Sequence, residues 1–152
     1  MNQQTNNSIK YEGEDIWIKE NAYDISLVSI EKLLEERGIR AKACQDRSTV
    51  PLAEVFNGQA PRIIFLGHYS GVPHLSGVHS SISFNNNPIV SAIRDMEFIE
   101  KHYPGTAFAT IASPLAYERY FKKRNIPNIC RRTHVNLEKE IAALSFALLE
   151  SA

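Results

Sequence analysis

The stretch Pro61-Arg62-Ile63-Ile64-Phe65-Leu66-Gly67 decides the fold. Four large apolar residues in a row, bounded by a proline and a glycine and free of polar alternation, predict a strand covered on both faces. Such strands lie at the centre of parallel sheets with helices on each side. A strand with one wet face would alternate instead.

The flanking segments supply those helices and further strands. On the amino-terminal side, Pro51 to Asn57 carries a short helical pattern closed by Gly58, and Ile39 to Cys44 alternates with period two. Leu27, Ile30, Leu33 and Leu34 recur at helical spacing from Ile25 to Arg37, with Asp24 as N-cap and Gly38 as the stop. Asp15 to Ile18 reads as a strand ending in the polar step Lys19-Glu20-Asn21. On the carboxyl-terminal side, Pro88 opens a helix with Ile89, Ile93, Met96 and Ile99, which Pro104-Gly105 ends. Ala107 to Ile111 is a strand, Pro114 to Arg124 a helix with Leu115, Tyr117, Tyr120 and Phe121, and Asn128 to Arg131 a fifth strand. An amphipathic helix from Val135 to Glu150 puts Leu137, Ile141, Leu144 and Leu148 on one stripe. Five strands alternating with five helices predict an α/β domain, a (βα)5 doubly wound five-stranded parallel sheet. Residues 1–13 read as a flexible tail and 14–152 as the domain.

Composition narrows the function. The chain has 152 residues, 43% hydrophobic and 22% charged, as expected for one globular domain. Seventeen Lys and Arg balance seventeen Asp and Glu, so no basic field gathers nucleic acid. Two cysteines, Cys44 and Cys130, with no CxxC pair point to a reducing cytoplasm, with no structural zinc and no other cofactor. No apolar run approaches the roughly 18 residues of a membrane span.

A (βα)5 chain of this kind resembles the receiver domain of bacterial response regulators over about residues 14–150. The family's first strand ends in paired acids that hold Mg²⁺; the matching residues here are Lys19 and Glu20 in Ile18-Lys19-Glu20-Asn21. Its third strand ends in the phospho-accepting aspartate, which corresponds to Gly67, or to His68 in the neighbouring register. The switch hydroxyl after the fourth strand falls at Ala112 or Ser113, and the lysine after the fifth at Arg132, with Thr133 in place of the family's proline. Phosphoryl transfer needs a carboxylate nucleophile, metal-binding acids and a cation that reads the phosphate. The resemblance therefore implies a degenerate receiver that works without aspartyl phosphorylation. Phe65-Leu66-Gly67, with the altered acids, is similar to the N-terminal domain of flagellar master regulators of the sigma-54 enhancer-binding class. That implies an ATPase and a DNA-binding domain as output partners in the full protein. It also implies a homodimer through the fourth helix, fifth strand and last helix, with Arg119, Lys123, Arg124, Arg131, Glu138 and Ile141 as candidate contacts. Phe146 and Leu149 lie off the last helix's main stripe, and if exposed they call for a partner.

A second reading concerns the loop Gly67 to Asn87, which holds three of the seven glycines and three of the five histidines. Loops of this length are often functional. Its Gly67-His68-Tyr69-Ser70-Gly71 stretch, with Cys130 ending another strand, suggests a small α/β hydrolase with His68 as base and Cys130 or Ser70 as nucleophile. The G-x-x-S-G order is one position out of register for a nucleophile elbow. The residues around Cys130 lack a cysteine-protease signature, so a buried apolar cysteine is the plainer assignment. His68, His74 and His79 are too irregularly spaced to favour a metal site.

Overall fold

In the computed structural model, residues 10–20, 27–45, 52–67, 88–112, 114–130 and 137–151 are described. The apolar run at the centre of the sequence forms β3 (Ile63–Gly67), with its first four residues buried. On either side in the chain come β1 (Ile16–Glu20), α1 (Leu27–Glu35), β2 (Ala41–Gln45), the single turn α2 (Leu52–Val55), α3 (Pro88–His102) and β4 (Ala107–Ala112). A short helix α4 (Pro114–Ala116), β5 (Asn128–Cys130) and α5 (Leu137–Ser151) complete it. All strand pairs are parallel, and the sheet order is β2-β1-β3-β4-β5. This is the flavodoxin-like, doubly wound order that receiver domains share.

Strand alternation divides the core into two layers. Trp17, Ile64, Leu66, Phe108 and Ala112 point to one face and meet Leu52 and Phe56, then Ala92, Met96 and Ile99 of α3, then Phe121. Ile16, Ile18, Ile63, Phe65, Ala109, Ile111 and Ile129 point to the other and meet Ile30 and Leu34 of α1 and Leu137, Ile141 and Ala142 of α5. Each fully buried side chain of this size contributes about 1.5–3 kcal/mol, so both helical layers are fixed to the sheet.

The helix stops follow the sequence. Gly38 (φ +80°) ends α1 and Gly58 (φ +88°) follows α2, both in the left-handed region where a Cβ is strained. The segment expected as one helix from Pro114 to Arg124 instead changes pitch. After α4 it runs as a π-helical turn (Tyr117–Phe121) and a 3₁₀ turn (Lys122–Arg124), ending at Asn125 with φ +59°. The wider turn accompanies full burial of Phe121 and a 2.6 Å bond from the Tyr117 hydroxyl to the Ile126 carbonyl. Tyr11, inside the expected tail, packs edge-on against Trp17 and Phe56 at centroid distances of 5.8 and 5.1 Å. Ordered packing thus begins before β1; residues 1–9 lie outside the described ones.

Candidate functional site at the carboxyl edge of the sheet

In doubly wound sheets the chain leaves neighbouring strands in opposite directions at one point, and the carboxyl ends of those strands border a crevice. Here that point lies between β1 and β3, which run in register from Ile16 beside Ile63 to Lys19 beside Leu66. Lys19 lies on the same strand face as Trp17, toward α2 and α3. Its Nζ donates to Asp95 Oδ2 at 2.8 Å, with 11% and 3% of the two side chains exposed. Asp95 Oδ1 accepts the Leu52 N–H at 2.9 Å, so one carboxylate joins β1, the start of α2 and the middle of α3.

Asp95 occupies the buried stripe of α3 formed by Ala92, Met96 and Ile99. A charge there costs several kcal/mol of lost hydration unless paired and hydrogen-bonded. Burial pushes the Asp95 carboxyl above the usual carboxylate range. The Lys19 charge and hydrogen bond, the Leu52 N–H and the charge of Arg94 pull it back only in part.

Glu20 is the last residue of β1, beside Gln45 of β2, and Gly67 is the last of β3, beside Ile111. The end of β3 in this register thus carries no side chain. His68, Ser113 and Arg132 lie outside the described residues, as do Ser70, His74, His79 and Arg131. Cys130 ends β5. Among the described residues, no cluster of three or more His, Cys, Asp or Glu could hold a metal ion.

The end of β4 is tied down by a group the sequence did not single out. Asn128 Oδ1 accepts from the Thr110 hydroxyl and the Ala112 N–H, both at 2.9 Å, and its Nδ2 donates to the Ala112 carbonyl at 3.3 Å. Both backbone groups of Ala112, beside the position of the family's switch hydroxyl, are therefore held by one amide.

The chain matches no family model, curated protein or solved structure in these three comparisons.

The candidate dimer residues separate. Arg119 and Lys123 are exposed on the turns that follow α4, near the exposed Leu115 and Tyr120. Arg124 is partly covered and bonds Glu97 and Glu100 of α3 at 3.4 Å each, so its charge is engaged within the chain. Glu138 is half-buried at the start of α5. Ile141 is corrected: it is fully buried against the sheet, facing inward, and offers no surface to a partner. Phe146 and Leu149 are half-buried against the same core, with the Arg37 guanidinium 4.8 Å over the Phe146 ring. They do not form the exposed apolar patch that would call for a partner.

The missed residue Asp95 did leave a signal. It falls at the i+3 position between Ala92 and Ile99 on an apolar stripe, where a polar side chain needs a buried partner. Lys19, ending the run Ile16-Trp17-Ile18, is the complementary oddity.

Proposed function

We propose that the chain is a receiver-like regulatory module that works by protein–protein packing and without aspartyl phosphorylation. The observation that carries this reading is the buried Lys19–Asp95 pair at the carboxyl end of β1. A receiver needs a carboxylate for a divalent metal at that position; a cation with its own internal counter-ion repels one. Gly67 at the end of β3 supplies no nucleophile in this register, and the Asn128 clamp on Ala112 restrains the strand end that a phosphate would draw in.

The module self-associates through the segment after β4, where Leu115 and Tyr120 stand exposed beside Arg119, Lys122 and Lys123. Glu138 and Glu140 of a second copy's α5 complement those charges. Its output partners are the ATPase and DNA-binding domains of a cytoplasmic transcription regulator of the flagellar sigma-54 type. The chain's balanced charge leaves DNA contact to those domains. Among the described residues, no helix is long and apolar enough to cross a membrane.

Sedimentation velocity over a concentration series, with and without Mg²⁺ and acetyl phosphate, tests this together with intact-mass measurement. The expected result is a dimer whose constant ignores the donor, with no phosphoryl adduct, weakened by Arg119→Glu with Lys123→Glu. An adduct or a donor-dependent shift overturns the phosphorylation-independent reading. A monomer at all concentrations overturns the dimer.

A further inference from the structure

Tyr117, Tyr120 and Phe121 stand at i, i+3 and i+4, the spacing of one helical stripe, so regular α-helical pitch would turn all three toward the sheet. Two of them do turn inward. Phe121 is fully buried, and Tyr117 packs half-buried against the same core layer, its hydroxyl donating to the Ile126 carbonyl at 2.6 Å. Tyr120 does not, with 36% of its surface exposed. The wide turn over Tyr117–Phe121 accounts for the difference: it rotates less per residue, so Tyr120 still points away from the sheet when Phe121 reaches it. The same widening carries Tyr120 toward Leu115. At α pitch, residues five apart lie about 140° from one another round the axis, whereas a turn closed by i→i+5 bonds sets them nearly one above the other. Among the described residues, Leu115 at 48% and Tyr120 are the large hydrophobic side chains that stand exposed.

We infer that this π-helical turn shapes the interface: it swings Tyr120 out of the core stripe to join Leu115 as the apolar anchor of the contact with a second copy of the chain, and Tyr117 acts as a positioning residue that holds the turn at that pitch. The inference rests on the self-association proposed above and names the side chains that carry it. π-helical turns are rare and recur at functional sites, and here the buried Phe121 ring and the Tyr117 hydroxyl bond keep the turn wide. The occupant is a second copy because the chain itself carries the charge that answers the rim. Arg119 and Lys123 are exposed on the same turns, and Glu140 is exposed on α5, so a two-fold contact between these segments sets opposite charges face to face. A tyrosine in such a ring of charge is a typical energetic centre, while the rim charges select the partner.

Sedimentation velocity combined with NMR on the full 152-residue chain tests this. The wild type is expected to dimerise and to show an intramolecular nuclear Overhauser effect between the Leu115 methyls and the Tyr120 ring. Leu115→Ser and Tyr120→Ser each raise the dimer dissociation constant about tenfold or more, and together they raise it by less than the product of the two effects, as residues sharing one contact do. Tyr117→Phe keeps the ring and removes the hydroxyl bond; it weakens both the dimer and the Leu115–Tyr120 effect, while an unchanged Trp17 indole resonance reports an intact core. A dimer indifferent to Leu115→Ser and Tyr120→Ser overturns the anchor and leaves self-association standing. A wild type that stays monomeric at all concentrations overturns self-association and the anchor with it. Absence of the Leu115–Tyr120 effect in the wild type, or a Tyr117→Phe chain that keeps that effect and the dimer unchanged, overturns the role of the wide turn. Should Tyr117→Phe fail to fold, the wild type and the two surface variants still decide.

Discussion

Replacing Lys19 by methionine removes the buried cation while keeping most of the stem on the face of β1 that Trp17 shares. Asp95, 2% exposed, would then face the core with the Leu52 N–H as its one remaining described hydrogen bond. Removing one partner of a buried pair costs about 3–5 kcal/mol, and the 11% exposure of the Lys19 side chain sets the lower end, about 3 kcal/mol. Asp95→Asn is milder, since burial already disfavours the ionised carboxyl and the amide oxygen still accepts from Leu52. The double variant Lys19→Met with Asp95→Asn discards both charges and keeps that acceptor, and should lie within about 1 kcal/mol of wild type. Urea unfolding at neutral pH reads these values through Trp17, the chain's one tryptophan, 1% exposed. The pH dependence has a definite sign. In Lys19→Met the folded carboxyl binds its proton more tightly than the unfolded chain does. The deficit is therefore full above the folded-state pKa and shrinks as pH falls toward the unfolded value of about 3.9. A single variant costing less than about 1 kcal/mol at neutral pH, or a double variant no more stable than the single, refutes the pairing energetics.

Other perturbations have equally definite outcomes. Asn128→Ala removes three hydrogen bonds and leaves the buried Ala112 N–H without its acceptor; a loss of about 2–3 kcal/mol is expected, with faster amide exchange in β5 than elsewhere in the sheet. At Gly38 an added Cβ meets nothing within 4 Å, so Gly38→Ala costs only the strain of φ +80°, about 1 kcal/mol, readable as a lowered melting temperature. Burial first, then the charges of Glu14 and Asp15, raise the Tyr11 hydroxyl above its ordinary pKa despite Arg40. Its contribution to stability is lost as pH rises from about 10 through the folded value, and Tyr11→Phe should flatten that alkaline limb of a denaturation series.

The architecture was legible because its signals are local. The apolar run at Ile63–Leu66, the helical repeat ended by Gly38 and the stripe on the last helix each specify an element without reference to the rest of the chain. Alternation between such elements then leaves few topologies. The pitch change at Tyr117–Phe121 was not legible, because it accompanies the burial of Phe121 and the Tyr117 bond to Ile126, which is set by tertiary packing. Asp95 and Asn128 were missed for a similar reason. Asn128 is an unremarkable polar residue in its own segment and Asp95 only interrupts an apolar stripe; the partner that gives each its importance is Lys19, 76 positions away, or the end of the neighbouring strand. Ile141 shows the opposite error, since one position on a helix was assigned to an outer surface while its stripe faces the sheet.

On β2, an edge of the sheet, the Ala43 N–H donates to Glu31 Oε2 of α1 at 2.8 Å. An incoming strand on that side would have to displace a carboxylate that its own helix holds in place, and would meet negative charge where it needs a donor. Sheet extension by strand addition is thus discouraged at β2. At the opposite border the described residues of β5 are Asn128–Cys130. Charge thus guards the β2 margin of the molecule against filament growth.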